Sequence, residues 1–385
     1  MRWVILALLM VMLLYAPPPV QAANSSPDEP FTGTALCLPD VYLNPPGDCL
    51  PLGPSQTLTE MARKGLSYPP RPLPAFSPPA ELATNPVFIA RLNLADNEPA
   101  NLYASLDDAI ARNNAVRQIP AGAGLRYVSY IQEERIDGKP YLQLKSGEWV
   151  RASPAGYSNF QGLVFRKTPT TAFGWVIDNI KARSAPSFTA PEVGEDIYNQ
   201  TPVQIFSITQ AEGMEWYMIG QDLWVPHLKA RRARVDTNPP SGVTGNRWIS
   251  VDLFDQVVTV YENGQLVFAT LVSTGGKPFY TRPGLFQIYK KKPLETMSGA
   301  FEPSRSDYYY LEDVPWTMYF DEARALHGAY WRPWFGVSGT HGCVNFSIGD
   351  AAWLYQWANE GDWVYVYDPS GETPTDPSLY GSGGA

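Results

Sequence analysis

Along the last third of the chain, apolar and polar positions alternate with a period of two. That spacing puts every second side chain on one face of a strand. Residues 248–253, 257–262 and 266–273 carry the pattern and are rich in β-branched residues, Val above all. Asn263-Gly264 separates the second run from the third, and this dipeptide predicts a two-residue hairpin turn. Residues 285–290 and 363–367 read as further strands. One stretch switches to helical spacing: Ala351, Leu354, Trp357 and Ala358 fall on a single face. Ser347 and Asp350 stand where a capping box opens such a helix, and Gly361 is its expected stop. Residues 247–368 therefore read as one β-rich domain with a core of its own.

Upstream, the pattern is that of short strands around turns. Tyr141-Leu142-Gln143-Leu144, Ser146-Gly147 and Trp149-Val150 recur as Tyr217-Met218-Ile219-Gly220, Gln221-Asp222 and Trp224-Val225. Strand-like runs at 127–132 and 203–209 precede the two copies. The pattern resembles bacterial SH3-like small β-barrels and divides the region into modules at 87–160 and 161–232. Such modules imply wall binding or spacing; packing without a ligand fits them equally. Asn238-Pro239-Pro240-Ser241-Gly242 marks a linker over 233–246. Residues 17–86 hold 17 of the 37 prolines, which deny them regular structure except for a short helix at 57–64. Residues 369–385 read as a disordered tail.

The first residues are Met1-Arg2-Trp3 followed by an apolar run to Tyr15, shorter than the ~20 residues a spanning helix needs. Val20-Gln21-Ala22 fits a signal-peptidase site, so residues 1–22 are expected to be a secretory signal; an uncleaved anchor is the alternative. Export permits disulfides, and Cys37 and Cys49, close together in the Pro-rich stretch, are expected to pair. Cys343 is then the odd thiol. With 29 Lys and Arg against 38 Asp and Glu, the net charge is −9 and no basic block occurs, so no nucleic-acid partner is expected.

Cys343 lies in Ser338-Gly339-Thr340-His341-Gly342-Cys343-Val344-Asn345, shortly after His327-Gly328. A thiol is mostly protonated at neutral pH and needs a base or a cationic neighbour before it can attack a carbonyl. His327 is the candidate, either as general base or as the partner of a pre-formed thiolate. The backbone N–H groups of Gly342 and Cys343 are the candidate oxyanion donors, since Gly342 allows close approach.

This cysteine motif resembles the signature of the bacterial L,D-transpeptidases. Ser273-Thr274-Gly275-Gly276 and Thr281-Arg282-Pro283-Gly284-Leu285-Phe286 resemble two further family segments, with Arg282 replacing the more usual Pro. The resemblance covers 247–368 and implies a mainly β, β-sandwich-like catalytic domain with one helix after the nucleophile. It implies a tetrapeptide stem of peptidoglycan as acyl donor. The cysteine attacks the carbonyl before the terminal D-alanine, a thioester remains, and an amine of a second stem takes the acyl group. Water as acceptor would give an L,D-carboxypeptidase. Carbapenem-type β-lactams are expected to acylate Cys343.

By the same resemblance the aromatic stretch from Tyr308 to Phe335 forms the lid and cleft wall. Tyr319, Trp331, Arg332, Gly328 and Thr340 are the candidate substrate contacts, Arg332 as receptor of the D-alanine carboxylate with Arg282 its rival. His341 is read as a brace of the cysteine loop, Asn345 as a tie within it, and His227 as a packing histidine. No cofactor and no metal are expected, and the protein is expected to be monomeric, with peptidoglycan stem peptides and glycan as its partners. His327, His341 and Cys343 are legal zinc ligands, but their spacing and the lack of a nearby fourth ligand argue against that use. A non-catalytic wall-binding protein is the other alternative.

Overall fold

The computed structural model describes Leu66 and residues 72–156 and 160–381. The expected signal sequence, the 57–64 helix and the Cys37–Cys49 pairing lie outside the described residues.

The described chain is mainly β. Strands Arg247–Asp252, Val257–Glu262 and Gln265–Leu271 form an antiparallel meander at the centre of a seven-stranded sheet. Asn263 and Gly264 both take positive φ, 53° and 70°, as the hairpin turn requires. Trp363–Tyr367 joins the meander parallel to Arg247–Asp252, and Gly284–Gln287 closes that edge. At the opposite edge the sheet gains two short strands from far upstream, Leu163–Phe165 and Ala75–Phe76.

The second large sheet contains Val344–Phe346, Arg324–Gly328 and Tyr309–Asp321. Ile249, Val251, Val258 and Phe268 of the first sheet meet Met318, Phe320, Leu326, Val344 and Phe346 of the second in one buried cluster. Full burial of each such side chain contributes about 1.5–3 kcal/mol. The helix Ile348–Trp357 adds Ala351 and Leu354 to the same core. Ser347 Oγ accepts from Asp350 N at 3.2 Å, the predicted cap. The helix ends before Gly361, because Ala358 is itself buried and adopts extended backbone. Its last carbonyls accept from two cations: Arg247 reaches Trp357 O, and Lys291 reaches Tyr355 O and Ala358 O.

The two upstream regions differ from one another. Arg126–Ile136 pairs in parallel with Tyr309–Asp321 through Tyr310–Arg126 and Leu311–Tyr127. Residues expected as a first module thus continue this second large sheet outward through Lys139–Leu144, Trp149–Arg151, Ala100–Tyr103 and Ala115–Ile119. The region 172–233 instead forms its own three-stranded and five-stranded sheets around Ala182, Ile205, Tyr217, Val225 and Ala230. The run at 203–209 divides into Pro202–Ile205 and Ser207–Ala211, which belong to different sheets.

Residues 369–381, expected to be disordered, are structured. They include a short 3-10 turn at Pro377–Leu379. Arg324 anchors them, donating to Gly381 O at 2.9 Å with its guanidinium 5.5 Å from the Tyr380 ring centre.

Candidate active site

His327 and Cys343 come together through strand register. Arg324–Gly328 and Val344–Phe346 run parallel, with Leu326 opposite Val344 and His327 opposite Asn345. Leu326 and Val344 are fully buried in the core between the sheets. Alternation turns His327, Asn345 and Cys343 to the opposite face. There all three line one cavity of about 230 Å³.

The cysteine loop is fixed by backbone bonds to Ser273–Gly276. Ser273 and Asn345 exchange N–H···O bonds of 3.0 and 2.8 Å, and Gly339 and Thr340 both donate to Thr274 O. Gln256 holds Thr274 from behind, donating to its Oγ1 at 2.7 Å and accepting from its N–H at 2.8 Å. Thr281 Oγ1 accepts from Gly275 N and donates to Gly342 O. Gly275 is required here, because a Cβ would stand 2.2 Å from Phe279 O. The Gly-rich segment is thus the frame of the nucleophile loop.

Cys343 is 5% exposed and His327 2% exposed. Burial pushes the thiol up to about 11, opposed by a backbone hydrogen bond from Ala325 and by the Arg324 charge. The thiol also donates to Ala323 O over 3.8 Å. Burial pulls the His327 imidazole down to about 4, opposed by its contact with Gly328 O. That contact, Nδ1 to Gly328 O at 3.1 Å, fixes Nδ1 as the protonated nitrogen in the neutral ring and leaves Nε2 as the acceptor. At neutral pH the two groups are a thiol and a neutral imidazole.

The other sequence candidates fall into two groups. Trp331, Arg332, Thr340 and His341 line the cavity. Trp331 packs on His327 with ring centres 5.7 Å apart. Arg332 donates to Gly339 O at 3.0 Å and keeps a buried Nε without a hydrogen-bond partner. His341 stacks on Phe301 at 4.1 Å and leans on Phe279 at 4.9 Å, so it belongs to the cavity rim. Burial lowers its pKa, opposed by Asp307.

Gly328, Gly342, Tyr319 and Arg282 do not line the cavity. A Cβ on Gly328 would meet Ile348, Pro315 and Ala351, so this residue faces the core and only its carbonyl serves the site. The Gly342 N–H, read as an oxyanion donor, donates to Thr340 Oγ1 at 3.2 Å and is committed within the loop. Tyr319 pairs with Ala325, one strand removed from the cysteine. Arg282 is bound to Asp321, which also accepts from Arg324 at 3.0 Å. A guanidinium held that way leaves Arg332 as the cation at the cavity.

Of the far wall, only Tyr309 belongs to the aromatic stretch expected from the sequence. Ala123, Gly124 and Leu125 line the cavity together with Met297, Phe301, Asp307 and Tyr309. Ala123 N–H donates to Ser306 O, and Tyr310 N–H donates to Leu125 O. A Cβ on Gly124 would stand 2.6 Å from Asp307 O, and one on Gly122 2.4 Å from Tyr308 O. The spaced glycines at 122 and 124 were the available signal of this close approach. His227, read as a packing histidine, lies away from the cavity, stacked on Phe254 and 3.2 Å from Asp255 Oδ1.

The family model of the L,D-transpeptidase catalytic domain, YkuD, matches residues 246–366. L,D-transpeptidase 2 of Mycobacterium tuberculosis is 29% identical over 126 residues, which cover 31% of this chain and 30% of that protein. The chain thus aligns with under a third of that relative's length. Among solved structures, an L,D-transpeptidase from Stackebrandtia nassauensis is 28% identical and covers 34% of this chain and 59% of its own, with a TM-score of 0.26. The catalytic domain of the E. faecium L,D-transpeptidase is 25% identical over 33% of this chain and 100% of its own, with a TM-score of 0.29. Residues 246–366 of this chain are an L,D-transpeptidase catalytic domain of the YkuD family.

Proposed function

We propose that this protein is an exported L,D-transpeptidase of the cell wall that forms a thioester at Cys343. The observation that carries the reading is the strand register that turns Cys343 and His327 into one cavity. The donor is a peptidoglycan tetrapeptide stem. Its third-residue carbonyl is attacked by Cys343 Sγ as His327 Nε2 takes the thiol proton. The tetrahedral intermediate collapses, the C–N bond breaks, and His327 returns the proton to the amine of the departing D-alanine. An amine of a second stem then attacks the thioester, the C–S bond breaks, and the thiol regains its proton through His327. The neutral state of both groups favours proton transfer during attack over a pre-formed ion pair. Arg332 receives the D-alanine carboxylate, and Trp331 keeps water from the imidazole.

The test is incubation of the purified full chain with a tetrapeptide stem, followed by mass analysis of protein and products. Loss of D-alanine, an acyl adduct on Cys343 and a cross-linked dimer are expected. Hydrolysed stem without dimer would assign water as acceptor and the carboxypeptidase reaction. Cys343→Ala should remove the adduct, including that of a carbapenem, and lower turnover on the order of 10⁴-fold or more. Activity that survives this change would refute the reading.

A further inference from the structure

A second groove of about 410 Å³ opens on the other side of Trp331 and Arg332. These two residues line both it and the Cys343 cavity. Its remaining polar side chains come from far upstream of the catalytic domain: Arg91, Asn93 and Ser153, with Asn93 Nδ2 donating to Ser153 Oγ at 2.8 Å. Its apolar wall is a run of rings. Tyr127 lies 5.6 Å from Tyr330, which meets Trp331 edge-on at 4.9 Å. Among the described residues no Asp or Glu lines the groove, although the chain carries nine more acids than bases. Arg91 in an acid-free groove, with Arg332 at the border shared with the Cys343 cavity, suits a ligand bearing carboxylates.

Position decides which ligand. In acyl transfer the departing amine and the incoming amine occupy the same place relative to the acyl carbon, and both exchange a proton with the same base. With Arg332 holding the D-alanine that leaves, the acceptor must arrive from the Arg332 side, where the groove begins. We propose that this groove seats the acceptor stem, its carboxylates on Arg91 and Arg332 and its amine directed past Trp331 to the thioester. The inference rests on the acyl-transfer function proposed above. It assigns to the upstream region a part of the active site that lies outside residues 246–366. The acceptor nitrogen bonds to the acyl carbon, the C–S bond breaks, and one amine proton returns to Cys343 through His327.

The experiment uses the full chain with a labelled tetrapeptide donor and two acceptors: a tetrapeptide stem, and the same stem with its carboxylates amidated. Thioester formation and cross-linked product are followed separately by mass spectrometry. Arg91 is exposed, so Arg91→Gln leaves the fold intact. It should raise the acceptor KM by about ten-fold, the size of one lost charge-assisted hydrogen bond, with thioester formation unchanged within two-fold. The amidated acceptor should be poor with the parent protein and indifferent to Arg91→Gln, whereas Arg91→Lys should restore part of the loss. An unchanged acceptor KM, or equal loss with both acceptors, overturns the proposal. A parent protein that forms the thioester but only hydrolyses it overturns this proposal alone. One that forms no thioester removes the proposed function first.

Discussion

The two upstream regions carry the same sequence pattern and have different relations to the catalytic domain. Around Tyr141–Val150, backbone pairing carries one sheet from Ala115–Ile119 through to the cysteine strand. Around Tyr217–Val225, two small sheets close on a core of their own, and the region is attached by side chains: Phe173 and Trp175 pack into a buried cluster with Trp248, Tyr261 and Leu271, and a charged group sits beside it. Asp255 of the catalytic domain is fully buried and accepts from His227 Nε2, Arg232 N and Arg234 Nε at 3.2, 3.0 and 2.8 Å. A repeated hairpin therefore specifies local pairing only. What each copy serves depends on its outer strands: Arg126–Ile136 has a partner in Tyr309–Asp321, and Ser207–Ala211 ends its sheet.

The largest effect should come from the buried carboxylate in that attachment, Asp255. Asp255→Ala leaves His227 and the Arg232 N–H without their buried acceptor, while Arg234 keeps Asp252 at 3.3 Å, a loss of about 3 kcal/mol. Denaturant unfolding of the full chain should show it, and proteolysis should then cut first within 172–233. A loss below about 1 kcal/mol, the usual value of an exposed pair, would mean that the apolar cluster around Phe173 and Trp175 holds the 172–233 region by itself.

Next in size is a matched pair of glycine substitutions. A Cβ at Gly174 would stand 1.9 Å from Arg231 O inside the second region; one at Gly124 would stand 2.6 Å from Asp307 O at the cavity wall. Both Ala variants should lose about 1–3 kcal/mol of stability through overpacking. Only Gly124→Ala should lower kcat/KM for thioester formation, by about ten- to a hundred-fold, because only there does the displaced backbone border the reacting groups. Equal kinetic losses in the two variants would erase the distinction between the regions.

The same contrast separates what could be read in the sequence from what could not. Cys343 and His327 were legible because the chemistry is packed into one short motif and its preceding strand. The Asn263-Gly264 hairpin, the run at 257–262 and the Ser347 cap were legible because each is a local signal. Tyr309–Asp321 and Lys290–Gly299 were not read as strands, yet they pair along almost their whole length. Asp313 and Trp316 take positive φ, 51° and 59°, and the register shifts between Glu295 and Met297, so no clean period of two survives. Leu125 reaches the cavity, and Arg91 the groove beside it, through the parallel pairing of Arg126 with Tyr310 and the bond from Ala123 N–H to Ser306 O, contacts that nothing local announces. That the Gly342 N–H donates to Thr340 Oγ1 within the loop is a contact the motif does not show.

The smallest effect is a shift in pH dependence. His327 owes its lowered pKa first to burial, and Ala123, Gly124 and Leu125 form part of the wall that buries it. In the proposed reaction thioester formation uses the neutral imidazole, so its acid limb should lie near pH 4, well below the ordinary imidazole value of about 6.5. The stability sign follows from the same shift. As pH falls below about 6.5 the unfolded chain takes up the His327 proton before the folded one does, so stability present above that pH is lost toward pH 4. For Cys343 the direction reverses: stability present below about pH 9 is lost as the pH rises toward 11. In Gly124→Ala, water admitted at the displaced wall should move the acid limb upward, toward 6.5, by a fraction of a unit or more. In Gly174→Ala it should stay in place. A limb near 6.5 in the parent chain would mean that the cavity is open to water, and a limb that moves equally in both variants would make the first region's wall irrelevant to the imidazole.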